Sequence, residues 1–473
     1  MLFDTPVYFV FLIPIVLIYW RFNRERQNVL LLVASYFFYG WWNWRFLILI
    51  AISTLVDFFA ARYIARSTAG WRRRLLLTTS LVLNFGFLGA FKYFNFFADS
   101  FVTAMSALGV PAPVIGPLRI LLPPGISFYT FQAVAYIVDV YFEKLEPAES
   151  LVDYALFISL FPHLIAGPIQ RPSHLLPQVQ RPRVFSGTRF TDGIMLILTG
   201  LFRKCVVADN CALLADAAFS GSLGKHSLAT GLIGAYAFAW QIYSDFSGYS
   251  DIARGSAQLM GFHFMINFRQ PYLATTLTDF WRRWHISLST WLRDYLYIPL
   301  GGNRDGQIKT YRNLMTTMLL GGLWHGANWT FVVWGGLHGV WLSLERWLRA
   351  GVGNARTVAS ESRFSAWMAR VAIFHLVCLT WVFFRAQSLS AALTYLRGMT
   401  ILRWDHYLLP AMIFLASFTL PMFALDLLME RRGEEYPFQS SSEGVRVWAG
   451  VGAMLTVVLF AGNLSAAFIY FQF

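Results

Sequence analysis

This sequence has little charge. Asp, Glu, Lys and Arg make up 13% of its 473 residues, against 57% hydrophobic and 18% aromatic residues. The mean hydropathy of +0.51 lies well outside the soluble globular range. No soluble domain of appreciable size fits between the apolar stretches. Cysteine is far scarcer. Cys205, Cys211 and Cys378 lie in or beside apolar segments without metal-ligand spacing, so they read as packing residues rather than a redox, acyl-carrying or metal-binding set. No GxSxG elbow marks a serine hydrolase, and no fixed-period repeat, low-complexity linker or inverted symmetry is visible. The net charge of +13 is spread over short loops, leaving no basic domain to hold a nucleic acid.

What is present is a series of apolar runs, at about 6–20, 29–42, 46–61, 75–98, 125–142, 151–166, 192–208, 228–246, 313–323, 328–348, 366–384, 407–428 and 447–471. A span of the hydrocarbon core takes a helix of roughly 20 residues, and several runs are shorter. The expectation is an all-α, polytopic membrane protein with about eleven spans, plus re-entrant or interfacial helices where protein or a water-filled cavity satisfies the backbone. The first run follows Asp4 rather than a basic region, lacks a cleavage pattern and is followed by RFNRER, as in an uncleaved first helix. Arg21, Arg24 and Arg26, then Arg62, Arg66, Arg72, Arg73 and Arg74, fall in alternate loops. The positive-inside rule places both loops in the cytoplasm and the N-terminus outside. Beyond residue 145 the bias is unreadable.

The informative region runs from about 240 to 340. In QIYSDFSGYSDIARG, 241–255, the residues Gln241, Ser244, Asp245, Gly248, Asp251 and Gly255 share one small, polar helical face. An acid inside a membrane segment normally faces the bundle interior or a cavity. Asp245 and Asp251 therefore stand either in structural ion pairs, Asp251 with Arg254 or a later arginine, or in a substrate cavity. FWRRWHISLSTWLRDYLYIPLGG, 280–302, is too polar for lipid and too aromatic for a solvated loop. On a helix, Trp281, His285 and Ser289 share a face, while Arg282 and Arg293 lie on another. The segment reads as a re-entrant or interfacial helix, and 298–313 as a turn at the cytoplasmic surface. Arg282, Arg283, Arg304 and Lys309 fit either attraction of a polyphosphate donor or interfacial anchoring. In LLGGLWHGANWTFVVWGGLHG, 319–339, His325 sits between Trp324 and Gly326. The indole neighbours and His285 forty residues earlier favour a functional role, whereas His338, taken to be on the same helix, reads as a satisfied core residue.

These three motifs together resemble the membrane-bound O-acyltransferase family, in its bacterial branch that O-acetylates polysaccharides. GISFYTFQAVAYIVDVY (125–141), FPHLIAGPIQR (161–171) and the terminal FIYFQF (468–473) resemble the same branch, so the likeness extends over 1–473 as a single domain. The resemblance implies a bacterial inner-membrane enzyme with helices around a central funnel, where a cytoplasmic acyl donor and an acceptor from the opposite side meet at a histidine. His325, in WHGAN with Trp324 and Asn328, matches the catalytic histidine, and His285 a second position that carries Asn, Asp or His in different branches. The implied donor is acetyl-CoA, with no bound cofactor or metal, and the acceptor an exported polysaccharide, alginate-like or cellulose-like. D-alanyl carrier protein is the exceptional donor in the teichoic-acid branch. A hydroxyl attacking a thioester needs a base, and imidazole suits physiological pH. Ser287, Ser289 and Thr290 leave a covalent acyl-enzyme open. The implied partner is a periplasmic or membrane-tethered protein that finishes acetyl delivery, with Phe468, Tyr470, Phe471 and Phe473 either docking it or anchoring in lipid. The rival readings are a transporter or flippase, in which Asp245, Asp251 and the arginines form a substrate path, and a transferase for lipid acceptors.

Overall fold

The structure, a computed structural model, describes residues 1–111, 121–165, 167–224, 226–352, 362–461 and 469. Among the described residues every regular element is helical. Five helical stretches are long and apolar enough to cross a membrane by themselves: Phe46–Arg66, Gly70–Ala107, Arg363–Arg385, Leu408–Arg432 and Glu443–Phe460. Other long helices carry polar residues on buried faces. The chain forms two compact units, Met1–Ile194 with Ala253–Met265, and Met195–Ile252 with Ile266–Phe473.

The first unit contains α1 (Pro6–Tyr19), α2 (Arg24–Asn43), α3 (Phe46–Arg66), α4 (Gly70–Leu88), α5 (Phe94–Ala107), α6 (Ile126–Tyr141), α7 (Leu151–Ser159), α8 (Phe161–Leu164), α9 (Pro172–Gln180) and most of α10 (Gly187–Leu201). A π-helical turn, Gly89–Tyr93, joins α4 to α5. The apolar run expected at 151–166 divides at Leu160 into α7 and α8, where Pro162 supplies a start signal. Asp57 is buried between α3 and α4 and accepts from Ser80 at 2.5 Å and Asn84 at 3.0 Å, so its carboxylate is satisfied inside the bundle. The basic loops gather at one end. Arg24 meets Asp153 at 3.3 Å, Arg62 donates to the Glu149 carbonyl at 2.8 Å, and Arg73 pairs with Glu143 at 2.7 Å.

Helix α12 (Leu228–Leu259) contains the whole 241–255 motif. The second unit holds its residues up to Ile252, with α11 (Asp209–Ser220), α13 (Leu277–Arg283), α14 (Ile286–Leu292), α15 (Gln307–His325), α16 (Trp329–Val352), α17 (Arg363–Arg385), α18 (Leu389–Gly398), α19 (Leu408–Arg432) and α20 (Glu443–Phe460). The small face of α12 has a packing reason. A Cβ on Gly248 would stand 2.7 Å from the Gly200 carbonyl oxygen, so only glycine lets the two backbones approach this closely. Glycines also build the α15–α16 hairpin. A Cβ on Gly322 would lie 2.3 Å from the Phe331 carbonyl oxygen, and one on Gly335 2.2 Å from that of Met318. His338 lies on α16 and His325 at the end of α15, so the two are not on one helix as the sequence suggests.

Candidate active site

The 280–302 stretch is not one helix. Helix α13 ends at Arg283, and His285 adopts φ 42°, ψ 53° before α14 begins. The left-handed conformation turns the chain and replaces the expected Trp281–His285–Ser289 face with two short helices. His285 caps the second of them: its Nδ1 accepts the Leu288 N–H at 3.3 Å. Asn267 completes that helix start, its carbonyl accepting from Ile286 N–H at 2.9 Å and its Oδ1 from Ser287 Oγ at 2.7 Å. Because Nδ1 is an acceptor, the neutral His285 ring carries its proton on Nε2.

His325 closes α15 at the hairpin turn, with Gly326 next to it in extended conformation. Asn328 shapes that turn by accepting the Thr330 N–H at 3.0 Å and donating to the Gln387 carbonyl at 3.2 Å. The buried ring of His325 has its centroid 5.1 Å from Trp324, 5.2 Å from Trp334, 5.4 Å from Phe384 and 6.3 Å from His285. Trp324 lies 5.8 Å from His285 as well, so one indole touches both imidazoles. Residues forty apart in sequence thus share one aromatic enclosure. His338 is different: Trp281 Nε1 donates to its Nδ1 at 3.3 Å and Thr380 Oγ1 lies 3.0 Å from its Nε2, so both ring nitrogens have partners in the core.

A cavity of about 580 Å³ opens at the end of the hairpin away from His325 and reaches the residues around His285, with Trp281, Ile286 and Ser289 on its wall. Its charged lining is Arg282, Arg293, Arg346 and Arg349 against Glu345, a strongly positive balance suited to an anion. Arg283 is directed elsewhere. It pairs with Asp279 at 2.9 Å and forms a fork onto Glu430 at 2.9 and 3.0 Å. Ser289 Oγ donates to the Trp284 carbonyl at 3.1 Å and Thr290 Oγ1 to that of Ile286 at 2.8 Å, which engages both hydroxyls with backbone.

Asp245 and Asp251 sit in a buried ion network. Asp251 meets Arg203 at 2.7 Å, an earlier arginine than those considered from sequence, and Arg203 lies 3.9 Å from Asp426. Lys204 reaches Asp245 at 3.0 Å and Asp209 at 2.7 Å. Arg203 and Lys204 protrude from a π-helical turn, Phe202–Ala208, and their appearance in the apolar run LFRKCVV was the available signal. Arg346 and Arg349, one turn apart at the margin of the 328–348 run, were the other residues to find. Phe468, Tyr470, Phe471 and Phe473 lie outside the described residues. Between them Ile469 is 1% exposed and donates its N–H to Asp245 Oδ2 at 2.7 Å.

The model of the membrane-bound O-acyltransferase family matches residues 143–386. A probable alginate O-acetylase of Pseudomonas aeruginosa is 44% identical over 396 residues, covering 83% of this chain and 73% of the relative. A peptidoglycan O-acetyltransferase of Helicobacter pylori is 36% identical over 431 residues, covering 84% and 80%. A teichoic acid D-alanyltransferase of Streptococcus thermophilus is 30% identical over 280 residues, covering 54% and 65%.

Proposed function

The chain belongs to the membrane-bound O-acyltransferase family and is an integral membrane O-acyltransferase, and from that premise we propose that it moves an acetyl group from acetyl-CoA to a hydroxyl of an exported polysaccharide. The two relatives of greatest coverage among those above are named for alginate and peptidoglycan acetylation, which supports a polysaccharide acceptor and a bacterial inner membrane. The whole chain, 1–473, acts as one catalytic domain in this reading, together with a partner protein of the polysaccharide system that docks at Phe468, Tyr470, Phe471 and Phe473.

The observation that carries the reading is the His285–His325 enclosure beside an arginine-lined cavity. The phosphates of coenzyme A sit among Arg282, Arg293, Arg346 and Arg349, where guanidinium forks match phosphate geometry. Thr317 and Met318 line the inner part of that cavity, and along α15 Thr317 is about 12 Å from His325 at 1.5 Å per residue. A pantetheine arm bridges such a distance. His325 takes the proton from the acceptor hydroxyl as its oxygen attacks the thioester carbonyl. His285, protonated at Nε2, donates to the developing oxyanion, and collapse breaks the C–S bond as His325 returns the proton to the departing sulfur, releasing the thiol. The network around Arg203 and Lys204 is structural in this scheme.

The loop at 298–313 is cytoplasmic in this reading. The decisive experiment is His325→Ala in the full-length protein. Loss of acetyl transfer by about 10² to 10⁴ at unchanged membrane abundance is expected of a general base. A well-folded variant that still transfers near the original rate overturns the assignment.

A further inference from the structure

An apolar groove of about 160 Å³ opens between the end of α10, α19 and α20, with Leu198, Phe202, Leu425, Phe438, Gly452 and Thr456 on its walls. Helix α20 is long and apolar enough to cross a membrane and almost none of it is buried, so hydrocarbon rather than water stands outside the groove. Its small residues leave the space: among the described residues no neighbouring atom lies within 4 Å of where a Cβ on Gly452 would stand. A cavity of about 150 Å³ holds a benzene-sized group, whereas a helix is about 10 Å across. The groove therefore takes a stretch of acyl chain and not a partner's helix.

The α19–α20 loop closes one end and is polar. Phe438 reaches the groove from a left-handed backbone, φ 64°, which a bulky aromatic rarely adopts. The Ser441 N–H holds that turn by donating to the Phe438 carbonyl at 3.1 Å. Arg432 donates to Ser441 Oγ at 3.2 Å, and Arg446 to the Tyr436 hydroxyl at 3.1 Å. Arg446 also precedes the lining residue Ala449 by one turn of α20, so both guanidiniums stand at the loop end of the groove. Glu443, one turn earlier still, is exposed on the same face. Two arginines beside a carboxylate match a headgroup that joins a phosphate to an ammonium. A headgroup without a cation meets Glu443 as a like charge.

The floor of the groove bears on the core. Phe202 and Leu425 directly precede Arg203 and Asp426, which lie 3.9 Å apart in the buried ion network. A chain lying on them keeps water from that network.

We propose that the groove is a phospholipid site, with one acyl chain along α20, the phosphate on Arg432 and Arg446, and the ammonium on Glu443. Lipid tails are as apolar as the groove, so the chain adds close packing and the headgroup decides which lipid stays. The site is independent of the transferase reading above. Its occupancy stabilises the second unit, because the lipid binds the folded state alone.

The test uses purified full-length protein, delipidated in detergent, with dioleoyl phosphatidylethanolamine or dioleoyl phosphatidylglycerol added. Bound lipid is read by native mass spectrometry, and stability by the thermal midpoint. The unsubstituted protein is expected to retain one phosphatidylethanolamine in preference to phosphatidylglycerol and to gain in midpoint. Gly452→Leu fills the groove and is expected to weaken that binding at least about fivefold, the low end of the cost of overpacking a filled site, with the lipid-free midpoint unchanged. Glu443→Gln, at an exposed position, is expected to abolish the preference between the two lipids. Undiminished binding to Gly452→Leu overturns the groove. A lowered lipid-free midpoint in that variant overturns it too, because protein would then already fill the space. Equal or tighter retention of phosphatidylglycerol by the unsubstituted protein, or an unchanged preference in Glu443→Gln, overturns the phosphate-ammonium headgroup.

Discussion

Arg203 Nη1 and Asp251 Oδ2 stand 2.7 Å apart, with Arg203 3% exposed and Asp426 3.9 Å from its other nitrogen. One guanidinium thus holds two buried carboxylates together, and Tyr243 donates to the second at 3.1 Å. Removing the cation from such a site costs about 3–5 kcal/mol, because the carboxylates stay behind without it. Arg203→Ala is therefore expected to deplete the protein from the membrane. Arg203→Met combined with Asp251→Leu and Asp426→Asn restores abundance and acetyl transfer, because no uncompensated carboxylate is then left in the buried site. Abundance by immunoblot and specific activity separate this from a chemical role, in which the single variant is abundant but inactive.

The hairpin glycines give a second expectation. A valine at Gly322 or Gly335 drives its Cβ into a backbone carbonyl, which no rotamer change relieves. At Gly336 the nearest atom to an added Cβ is Leu319 Cδ2 at 3.4 Å, an ordinary contact. Gly322→Val and Gly335→Val are expected to lower the thermal midpoint of the purified protein sharply, by the equivalent of about 1–3 kcal/mol or more, and Gly336→Ala to leave it nearly unchanged. Equal midpoints for all three would mean the hairpin does not rely on backbone contact.

What the sequence disclosed followed from composition and from buried-looking polar residues. His285 and His325 stood out because an imidazole in an apolar, tryptophan-rich stretch is costly unless used or satisfied. The small face of α12 was legible as a period. Its partners were not, since Arg203 lies 48 residues before Asp251 and the pairing depends on how the Phe202–Ala208 turn packs against α12. The break at His285 was hidden for a related reason: FWRRWHISLS has no Gly or Pro, and the turn is made by a histidine in a left-handed conformation stabilised by Leu288 and Asn267. The separation of Arg282 from its neighbour Arg283 likewise follows from Glu430, which no local pattern announces.

Orientation is open to a reporter test. Arg24, Arg62 and Arg73 are bound at one end of the first unit by Asp153, the Glu149 carbonyl and Glu143. That end is expected in the cytoplasm. Alkaline phosphatase fused after residue 70 should be inactive, and the same reporter fused after Asn43, at the other end of α2, active. The reverse pattern would invert the side assignments of the first unit.

His285 supplies the most discriminating substitution, because its backbone and its side chain make separate demands. At φ 42° the residue must tolerate the left-handed region, which Asn, Asp and His do better than other side chains with a Cβ. Its side chain must also accept the Leu288 N–H, as an N-cap does. Asparagine meets both demands and still offers an N–H donor towards the reacting carbonyl. His285→Asn is therefore expected to keep normal abundance and to retain acetyl transfer within about tenfold, the scale of one weakened hydrogen bond of roughly 1.4 kcal/mol. His285→Val fails on both counts, being β-branched at positive φ and unable to cap, and should lose protein from the membrane as well as activity. Measuring abundance and acetyl-CoA turnover for the pair decides the matter: an abundant, fully inactive asparagine variant would show that the imidazole itself exchanges a proton, and would make His285 a second acid–base group rather than an oxyanion donor.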